Sequence, residues 1–440
     1  MTSEEILKKH WGYDAFKPLQ QEAVESALAG RDSLVVLPTG GGKSLCYQLP
    51  AASGRGLVLV ISPLIALMDD QVSAAREAGL IADALHSNMD AEQRSEAYRN
   101  LAGGKTELLY VSPERLLVGD LYETLARRVV LAAVDEAHCV SHWGHDFRPE
   151  YRRLAAAMDN FPQAARMALT ATATPAVRWD ILGQLGLRSP AVFIGHPDRP
   201  NLVYRAFPRR DQLKQVLEVV RRHPGEGGIV YTQTRKDVDR LAARLKVEGL
   251  TCAPYHAGLD AEERRRAQDD FVNERLDVIV ATIAFGMGID RSNVRFVVHA
   301  NTPRSVEHYQ QESGRAGRDG LPAECTLLFA ASDLATHRAL AKKDGPLSSE
   351  RARALDKQLR DIGRYAISPI CRHRLLASHF DAPYPADGRL QGDEGCRACD
   401  VCLGETKGLT EEEALLTAKK ILSAAWPRPW TTFPKRPAWP

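Results

Sequence analysis

The sequence predicts an α/β fold, with two tandem parallel-sheet domains followed by a small helical module that carries a cysteine cluster. Short apolar runs rich in Val, Ile and Leu alternate with segments of helical periodicity, as in buried parallel strands joined by helices. The runs fall into two series, separated by the polar, proline-bearing stretch His196–Leu202, which we interpret as a linker. Beyond about Lys342 the pattern changes to helical segments and then to the cysteines.

Each predicted strand is an apolar run bounded by turn residues. The predicted strands are Leu34–Leu37, Leu57–Ile61, Leu108–Val111, Val129–Val134 and Met167–Leu169 in the first series, and Gly228–Tyr231, Val278–Ala281, Phe296–His299 and Cys325–Phe329 in the second. This organisation predicts domains at residues 1–197, 198–340 and 341–405, with 406–440 after them. Residues 425–440 are rich in proline and tryptophan without a period, so we expect them to be disordered.

Composition excludes several classes of protein. The chain has 440 residues, 44% hydrophobic and 26% charged, which is ordinary for a globular protein and argues against disorder or a fibre over most of its length. It shows neither a long apolar stretch nor a signal-peptide pattern, so we expect a cytoplasmic protein. With 58 basic and 56 acidic residues, any nucleic-acid surface must be local. In such a compartment, clustered cysteines indicate a metal rather than disulfides.

A glycine-rich loop predicts a phosphate site. The segment PTGGGKS follows the first predicted strand and leads into a helical sequence. Gly40, Gly41 and Gly42 let the backbone turn its N–H groups toward a phosphate, and a helix N-terminus adds partial positive charge. Lys43 can reach the β- and γ-phosphates, and Ser44 can ligate Mg²⁺. The alternative is a glycine-rich turn without a ligand.

Paired acids at the end of another strand predict hydrolysis. Val129–Val134 leads into Asp135 and Glu136. We expect Asp135 to hold Mg²⁺ through water, and Glu136 to orient and deprotonate the attacking water. The alternative is an acidic strand end that caps a helix.

Two arginines in the second domain complete the predicted catalytic set. Arg315 and Arg318 lie three residues apart on a helical turn, with Gly314 and Gly317 permitting close approach to a facing domain. An arginine inserted from another domain would stabilise charge on the transferred γ-phosphoryl group. The alternative is the start of a basic surface helix.

The cysteine cluster predicts a structural metal site. Cys396, Cys399 and Cys402 lie within one short loop, and Cys371 could complete a tetrahedral set from a preceding helix. An iron–sulfur cluster is the alternative, but a ferredoxin run would need a cysteine near Thr406. We therefore expect zinc with no open ligand position.

Two further features are candidates for nucleic-acid contacts. Trp143 and Phe147 follow the paired acids closely, and aromatic rings there could stack on bases beside the hydrolytic site, with His145 and Arg148 adding polar contacts. Their alternative is a buried aromatic core. Ser or Thr followed by Pro also ends several strands, as a helix cap would, and such helix N-termini can bind anions. These residues are Ser62, Ser112, Thr174 and Thr302, of which we expect Ser62 and Ser112 to hold DNA phosphates; plain capping is the alternative.

These motifs, in this order and spacing, resemble the motif series of superfamily 2 helicases, and the segments SHWGHDFRPEY and CRACDVC resemble the RecQ family of DNA helicases in particular. The remaining segments that carry the resemblance are PTGGGKS, DEAH, ALTATAT, FGMGID and QESGRAGRDG. The resemblance implies two RecA-like domains, Zn²⁺ on the four cysteines, and an aromatic-rich loop in SHWGHDFRPEY.

The resemblance also implies nucleotide contacts outside the phosphate loop. In the segment GYDAFKPLQ, Tyr13 would stack on adenine, Lys17 would approach the nucleotide and Gln20 would bond the adenine edge. The family usually has Arg where Lys17 stands, and Lys cannot make the same planar, bidentate contact. Asp290 resembles the acid that contacts the ribose. Arg318 resembles the arginine finger, and Arg315 a second γ-phosphate contact.

As a function, the resemblance implies an ATP- and Mg²⁺-dependent helicase that moves 3′→5′ on single-stranded DNA in recombination and repair, in the bacterial cytoplasm near the nucleoid. It also predicts that residues 409–426 begin a winged helix that is not completed, so that forked DNA would be bound but duplexes unwound weakly. A natural short form and a truncated or frameshifted product both stay open. The rival functions are an RNA-dependent ATPase of the same superfamily and a non-catalytic DNA-binding scaffold.

Overall fold

The computed structural model describes residues 1–63, 65–118, 121–144, 146–283, 285, 291–343, 347–385, 395–406, 415, 416 and 418–420. Within this part, helices and strands alternate through two parallel sheets and then give way to helices. The elements up to the first sheet's last strand are α1 (Ser3–Trp11), α2 (Gln20–Leu28), β1 (Ser33–Val36), α3 (Leu45–Ala52), β2 (Leu57–Ile61), α4 (Ile65–Glu77), β3 (Ala82–Leu85), α5 (Ala91–Ala102), β4 (Leu108–Val111), α6 (Pro113–Leu117), α7 (Tyr122–Leu125), β5 (Val129–Val134), α8 (Leu154–Met158), β6 (Ala165–Thr170), α9 (Pro175–Gln184) and β7 (Ala191–Ile194).

The second half repeats the alternation and ends in three consecutive helices. Its elements are β8 (Leu202–Pro208), α10 (Gln212–Arg222), β9 (Gly227–Tyr231), α11 (Arg235–Val247), β10 (Cys252–Tyr255), α12 (Ala261–Val272), β11 (Val278–Ala281), β12 (Val294–His299), α13 (Val306–Ser313), β13 (Ala323–Phe329), α14 (Ala331–Ala341), α15 (Ser349–Ile367) and α16 (Arg372–His379). Short 3₁₀ turns at Ala137–Val140 and Pro149–Arg153 flank the aromatic loop. None of the described helices is long and apolar enough to span a bilayer.

The first sheet has seven parallel strands in the order β3-β4-β2-β5-β6-β1-β7. This order places the strand that carries the acids, β5, between β2 and β6, and β6 pairs with β1, which leads into the phosphate loop. Because the carboxyl ends of parallel strands share one edge, both loops lie on the same side of the sheet. Apolar cores cover both faces of this sheet, as all-parallel sheets require.

The second sheet has six parallel strands in the order β10-β11-β9-β12-β13-β8. Helices α15 and α16 pack on one of its faces, since Ile362, Tyr365 and Leu376 share a core cluster with strand residues. The loop of residues 396–402, called the cysteine loop, pairs with the edge strand β8. The Tyr204 N–H donates to Ala398 O and the Asp400 N–H donates to Tyr204 O, each at 3.0 Å. The helical module is therefore built onto the second sheet. These features confirm the predicted fold class.

The predicted strands agree with the observed ones, several to the residue and others within two positions. Four observed strands were not predicted: β3, β7, β8 and β10. Strand β7 is an apolar run at the sheet edge, where its side chains alternate between partly buried and exposed, and β10 contains Pro254, which is unusual within a strand. The predicted linker His196–Leu202 lies between the sheets, although its last residue already begins β8.

The predicted Ser/Thr-Pro caps have different outcomes. The Ser112 side chain accepts from the Arg115 N–H at the start of α6, as expected. Thr174 precedes α9 but makes no capping hydrogen bond with its side chain. The prediction for Thr302 is wrong, because Ser305 caps α13. Asp333 accepts from the Thr302 N–H at 2.8 Å, and this contact holds Thr302 in a loop instead.

Candidate functional site

The phosphate loop folds tightly between β1 and α3. Gly40 and Gly42 have φ values of +80° and +72°, a region that residues with a Cβ rarely adopt. A Cβ at Gly41 would lie 2.8 Å from the Pro38 carbonyl oxygen, so a side chain there would force the turn open. Lys43 donates to the Leu37 carbonyl at 3.3 Å, which keeps its ammonium group at the loop. This loop can therefore hold an anion against its backbone.

A segment near the N-terminus braces the loop from outside. The Gln20 side-chain amide donates to Gly42 O at 3.0 Å and Gly41 O at 3.3 Å, and Lys17 Nζ donates to Gly40 O at 2.8 Å. A Cβ at Gly42 would overlap the Gln20 amide. The Tyr13 side chain is largely exposed, at 58%, and its ring is free to stack on a flat ligand. The nucleotide contacts implied for these residues remain predictions.

The paired acids lie at the carboxyl end of β5. The Glu136 backbone N–H donates to Asp135 Oδ1 at 2.9 Å, and Glu136 itself has a left-handed backbone with φ of +47°. Burial raises the pKa of Asp135 to about 6, and the neighbouring Glu136 charge adds to the rise while Lys43 opposes it. The positive charge of Lys43 and a divalent cation are therefore both suited to this carboxylate.

His138 links the acids to the next strand. Its Nδ1 lies 3.2 Å from Glu136 Oε2 and 3.0 Å from Thr170 Oγ1 at the end of β6. Burial by itself lowers the pKa of His138, but contacts with Cys139 and Glu136 outweigh burial, and the pKa lies well above its ordinary value. His138 can therefore hold the Glu136 carboxylate in place by an ion pair.

The turn that carries Arg315 and Arg318, called the arginine turn, belongs to the second sheet and faces the phosphate loop directly. A Cβ built on Gly40 would lie 3.8 Å from Arg318 Cγ, and one built on Gly314 would lie 3.3 Å from Thr39 Cβ. The structure therefore brings Arg318 to the phosphate loop, and glycines on both sides permit the approach. Arg315, three residues earlier, is buried. Their roles toward a γ-phosphate remain predictions.

Arg199 of the linker holds this junction together. Its guanidinium donates to Gly317 O at 2.6 Å, Ala316 O at 3.2 Å and Gly314 O at 3.3 Å, all in the arginine turn. It also reaches Thr39 O in the phosphate loop, at 3.5 Å. One side chain thus bonds to the backbone of both halves of the site.

The same linker contacts the cysteine module. Asp198 forms a short ion pair with His373, and His196 Nε2 lies 2.7 Å from Pro383 O. Burial by itself lowers the pKa of His373, but Asp198 outweighs it and the pKa is raised. The linker therefore contacts the nucleotide side of the molecule and the helical module at once.

The four predicted metal ligands come together as expected. The Sγ atoms of Cys371, Cys396, Cys399 and Cys402 all lie within 4.8 Å of one another. Zinc–sulfur bonds of about 2.3 Å in a tetrahedron put sulfur atoms about 3.8 Å apart, so this donor set fits one zinc ion. Four thiolates leave no position for a substrate.

A buried ion pair sets the spacing of these cysteines. Arg372, next to Cys371, donates to both carboxylate oxygens of Asp400, next to Cys399, at 2.8 Å each. Both side chains are buried, at 3% and 0% exposure. Bidentate geometry fixes direction as well as distance, so the pair locks the helix-borne ligand to the loop.

The aromatic loop lies against α15. The Phe147 ring is 3.8 Å from the His142 ring, and Arg152 and Arg351 stand 5.4 and 5.5 Å from its centre. Trp143 packs on the edge of the first core and is partly buried. Both rings therefore already have protein neighbours, so stacking on bases would require them to change these contacts.

Arg148 connects this loop to the Ser62-Pro63 turn. It bonds to Asp146 at 3.3 Å and donates to the Pro63 carbonyl at 3.3 Å. Ser62 and Ser112 themselves are buried, at 2% and 4%, at the ends of neighbouring strands β2 and β4. The predicted DNA contacts at these residues remain predictions.

A cavity of about 300 Å³ opens at the carboxyl ends of β9, β11 and β12. Its walls include Thr232, Thr282, Asn301 and Arg304, and this end of a parallel sheet is where ligands bind in open α/β folds. Neither this cavity nor Arg199 was predicted from the sequence. A cationic residue between two prolines in the linker was the available signal for Arg199.

Two predicted site residues, His145 and Asp290, lie outside the described residues.

Comparisons with family models agree with this architecture. Residues 17–179 match the model for the DEAD/DEAH box helicase, 209–320 the helicase conserved C-terminal domain, and 331–403 the RecQ zinc-binding model. Among solved structures, Mycobacterium smegmatis helicase Lhr bound to ssDNA and AMP-PNP is similar with a TM-score of 0.59 and 21% identity, over 82% of this chain and 57% of that one. This likeness concerns the fold.

Curated relatives give the family. The chain is 43% identical to the ATP-dependent DNA helicase RecQ of Pasteurella multocida (strain Pm70), over 97% of this chain and 65% of the relative. It is 42% identical to the protein of the same name from Haemophilus influenzae, over 97% of this chain and 67% of the relative. The chain spans about two thirds of the length of these relatives. With this similarity, the three matched models and the assembled site, the chain belongs to the RecQ family of helicases.

Proposed function

We propose that this chain is an ATP-dependent DNA helicase that moves 3′→5′ along single-stranded DNA and acts in recombination and repair. The observation that carries the proposal is the composite site at the junction of the two sheets. There the phosphate loop of one sheet, with the paired acids beside Lys43, meets the arginine turn of the other. Neither sheet alone holds the complete set, so closing the junction is what completes it.

In this proposal the nucleotide binds across the junction. The phosphate loop and Lys43 bind the β- and γ-phosphates, and Tyr13, Lys17 and Gln20 hold the base end. Ser44 and Asp135 are the ligands suited to Mg²⁺, which neutralises phosphate charge when bound. Glu136 orients and deprotonates the attacking water. Arg315 and Arg318 stabilise the charge that develops on the γ-phosphoryl group.

A path for the DNA strand runs across the carboxyl edges of both sheets. Arg148 bonds the turn after β2 to the aromatic loop, and the aromatic loop meets Arg304 in a shared cavity. Arg304 also lines the large cavity in the second sheet. A strand on this path would contact both domains and would pass close to the acids through Trp143 and Phe147. Opening and closing of the junction would then move the strand.

The cysteine module would bind one zinc ion in a structural role. Its thiolates fit a tetrahedral site with no open position. It contributes to helicase action indirectly, because it packs on the second sheet and bonds to the linker at Asp198.

The experiment is strand displacement with duplexes carrying a 3′ or a 5′ single-stranded tail, in the presence of Mg²⁺ and ATP. We expect displacement of the 3′-tailed substrate only, and ATPase stimulation by DNA oligomers rather than RNA oligomers. Displacement of the 5′-tailed substrate alone would contradict the polarity. Stimulation by RNA but not DNA would favour an RNA-dependent ATPase, and absence of any ATP turnover would favour a scaffold.

A further inference from the structure

A small polar cavity lies where three parts of the chain meet. It has a volume of about 140 Å³ and is distinct from the large cavity of the second sheet. Its walls come from Asp146 and Phe147 of the aromatic loop, from Arg304 in the loop between β12 and α13, and from Arg351 in the first turn of α15. Arg304 lines both cavities, so the small one adjoins the strand path proposed above.

The positive charges around this cavity are only partly balanced by protein groups. Arg304 Nε is buried and has no hydrogen-bond partner among the described residues. Within the described part of the chain, neither Arg304 nor Arg351 forms an ion pair with a carboxylate. The one acid in the wall, Asp146, is already bonded to Arg148 at 3.3 Å. Burial lowers the pKa of Arg304 and the Arg351 charge lowers it further, while the Asp146 charge opposes the fall.

Burying the Arg304 Nε–H without a partner is costly, and the charge of Arg351, which is an exposed residue, adds repulsion. Natural structures rarely leave such groups without a compensating anion, and a buried donor without a partner calls for an explanation. The imbalance therefore points to an anionic ligand that is bound when the protein works.

The walls of the cavity are held in place by contacts outside it. The Gln358 side chain on α15 donates to Trp143 O at 3.4 Å and Gly144 O at 3.3 Å. The Arg351 guanidinium lies 5.5 Å from the centre of the Phe147 ring, which limits its orientations. These contacts hold the aromatic loop against α15 and keep Arg351 beside Phe147 at the cavity wall.

We propose that Arg304 and Arg351 form a subsite for one phosphate group, supplied by the backbone of the bound DNA strand. This assignment rests on the proposed function, since it takes the strand path as given. Planar guanidinium groups match phosphate oxygens in bidentate geometry, and the mostly polar walls of the cavity suit a charged phosphate better than the face of a base. The contact would be independent of sequence, as phosphate contacts are. It would hold the strand at the point where both sheets and the helical module meet.

The test compares Arg304→Gln and Arg351→Gln with the parent in their affinity for a labelled oligothymidylate over a salt series. Each lost phosphate contact on a single strand should reduce the slope of log affinity against log salt by about 0.7. Arg353→Gln is the matched control, because Arg353 is exposed on the same helix and does not line the cavity. Arg351→Lys keeps the charge and should retain most of the slope.

Two further measurements make the result decisive. Inorganic phosphate is titrated into each variant while the melting temperature is followed. Loss of phosphate protection with an unchanged DNA slope would keep the subsite and assign it to free phosphate. If both glutamine variants keep the parental slope and the parental phosphate response, the subsite is refuted. Arg351→Gln carries the test if Arg304→Gln does not fold. DNA-stimulated ATP turnover of the parent tests the proposed function separately.

Discussion

The two sheets meet at two junctions that differ in their contacts. The nucleotide junction is where the phosphate loop faces the arginine turn, and the aromatic-loop junction is where the aromatic loop faces Arg304 and Arg351. At the nucleotide junction, Arg199 bonds to backbone carbonyls of both sides. At the aromatic-loop junction, Arg304 and Arg351 border a cavity and have no carboxylate partner among the described residues. The first arrangement sets a fixed geometry for a small ligand. The second leaves positive charge available to a polymer whose position changes with each step.

The largest expected effect is on ATP turnover and concerns Lys43 at the nucleotide junction. Lys43→Ala should reduce ATP turnover by about 1,000-fold or more, because removing a phosphoryl-transfer group costs about 4 kcal/mol at 1.36 kcal/mol per tenfold. DNA binding should persist, since Lys43 lies away from the strand path. Steady-state ATPase and oligonucleotide binding on one preparation check both statements. Lys9→Ala, an exposed lysine of α1, is the control. Turnover within tenfold of the parent would contradict the assignment.

The cysteine site is expected to have the next largest effect. Cys399→Ser should yield a protein with less than one metal ion per chain and a lower melting temperature, because structural metal binding contributes to folding free energy. Metal content by emission spectroscopy and a thermal melt are the measurements. Cys252→Ala removes a buried thiol of the second domain outside the cluster and should leave the metal content unchanged. Iron with visible absorption in the parent would reject zinc.

Arg199 gives a sharper test of the bracing at the nucleotide junction. Arg199→Gln should lower kcat by about 10- to 100-fold, that is by about 1.4–2.7 kcal/mol. Because Arg199 contacts only the backbone of the site, KM for ATP should change less than kcat. Arg199→Lys should restore part of kcat, since it keeps the charge but not the multiple contacts. Arg210→Gln, at an exposed position in the same domain, is the control. If Arg199→Gln lowers the melting temperature as well as kcat while Arg210→Gln lowers neither, the role of Arg199 is purely structural.

The smallest expected effect concerns the free energy of unfolding, to which Asp135 contributes in a way that depends on pH. The carboxyl has an ordinary pKa near 3.8 and a folded-state pKa of about 6, so its contribution to stability is full below pH 4 and is lost as pH rises through 6. Asp135→Asn mimics the protonated form and should raise the free energy of unfolding at pH 8 by about 1–2 kcal/mol, with little gain at pH 4. Chemical denaturation without nucleotide at both pH values measures this. A gain that does not depend on pH would contradict the titration.

Local pattern predicted much of the molecule. Central strands such as Leu57–Ile61 and Val129–Val134 are continuous apolar runs, and the phosphate loop and the acids follow two such strands directly. The cysteine set was also predictable, because three ligands lie within one short loop. These features depend on residues close together in the chain.

The remaining features depend on contacts between distant segments. Arg199 meets Thr39 and Gly314, which lie far from it in the sequence, and the bonds go to carbonyl groups that every residue has. The unpaired state of Arg304 is likewise visible only once its neighbours are known. Strand β7 lies at a sheet edge with only alternate side chains partly buried, and β10 contains a proline, so neither has the environment of a central strand. The neighbours of Phe147, which are His142, Arg152 and Arg351, were likewise not predictable from local pattern, and its stacking on a DNA base stays a prediction.

The pairing of the cysteine loop with β8 has one more consequence. Strand β8 is the last strand of its sheet, and an open strand edge offers unpaired N–H and C=O groups to any other extended chain. The backbone of Tyr204 is already bonded to Ala398 and Asp400 on that side. The cysteine loop therefore covers this part of the edge and protects the second sheet against edge-to-edge association between copies of the chain. Zinc binding would in this way contribute to solubility as well as to folding.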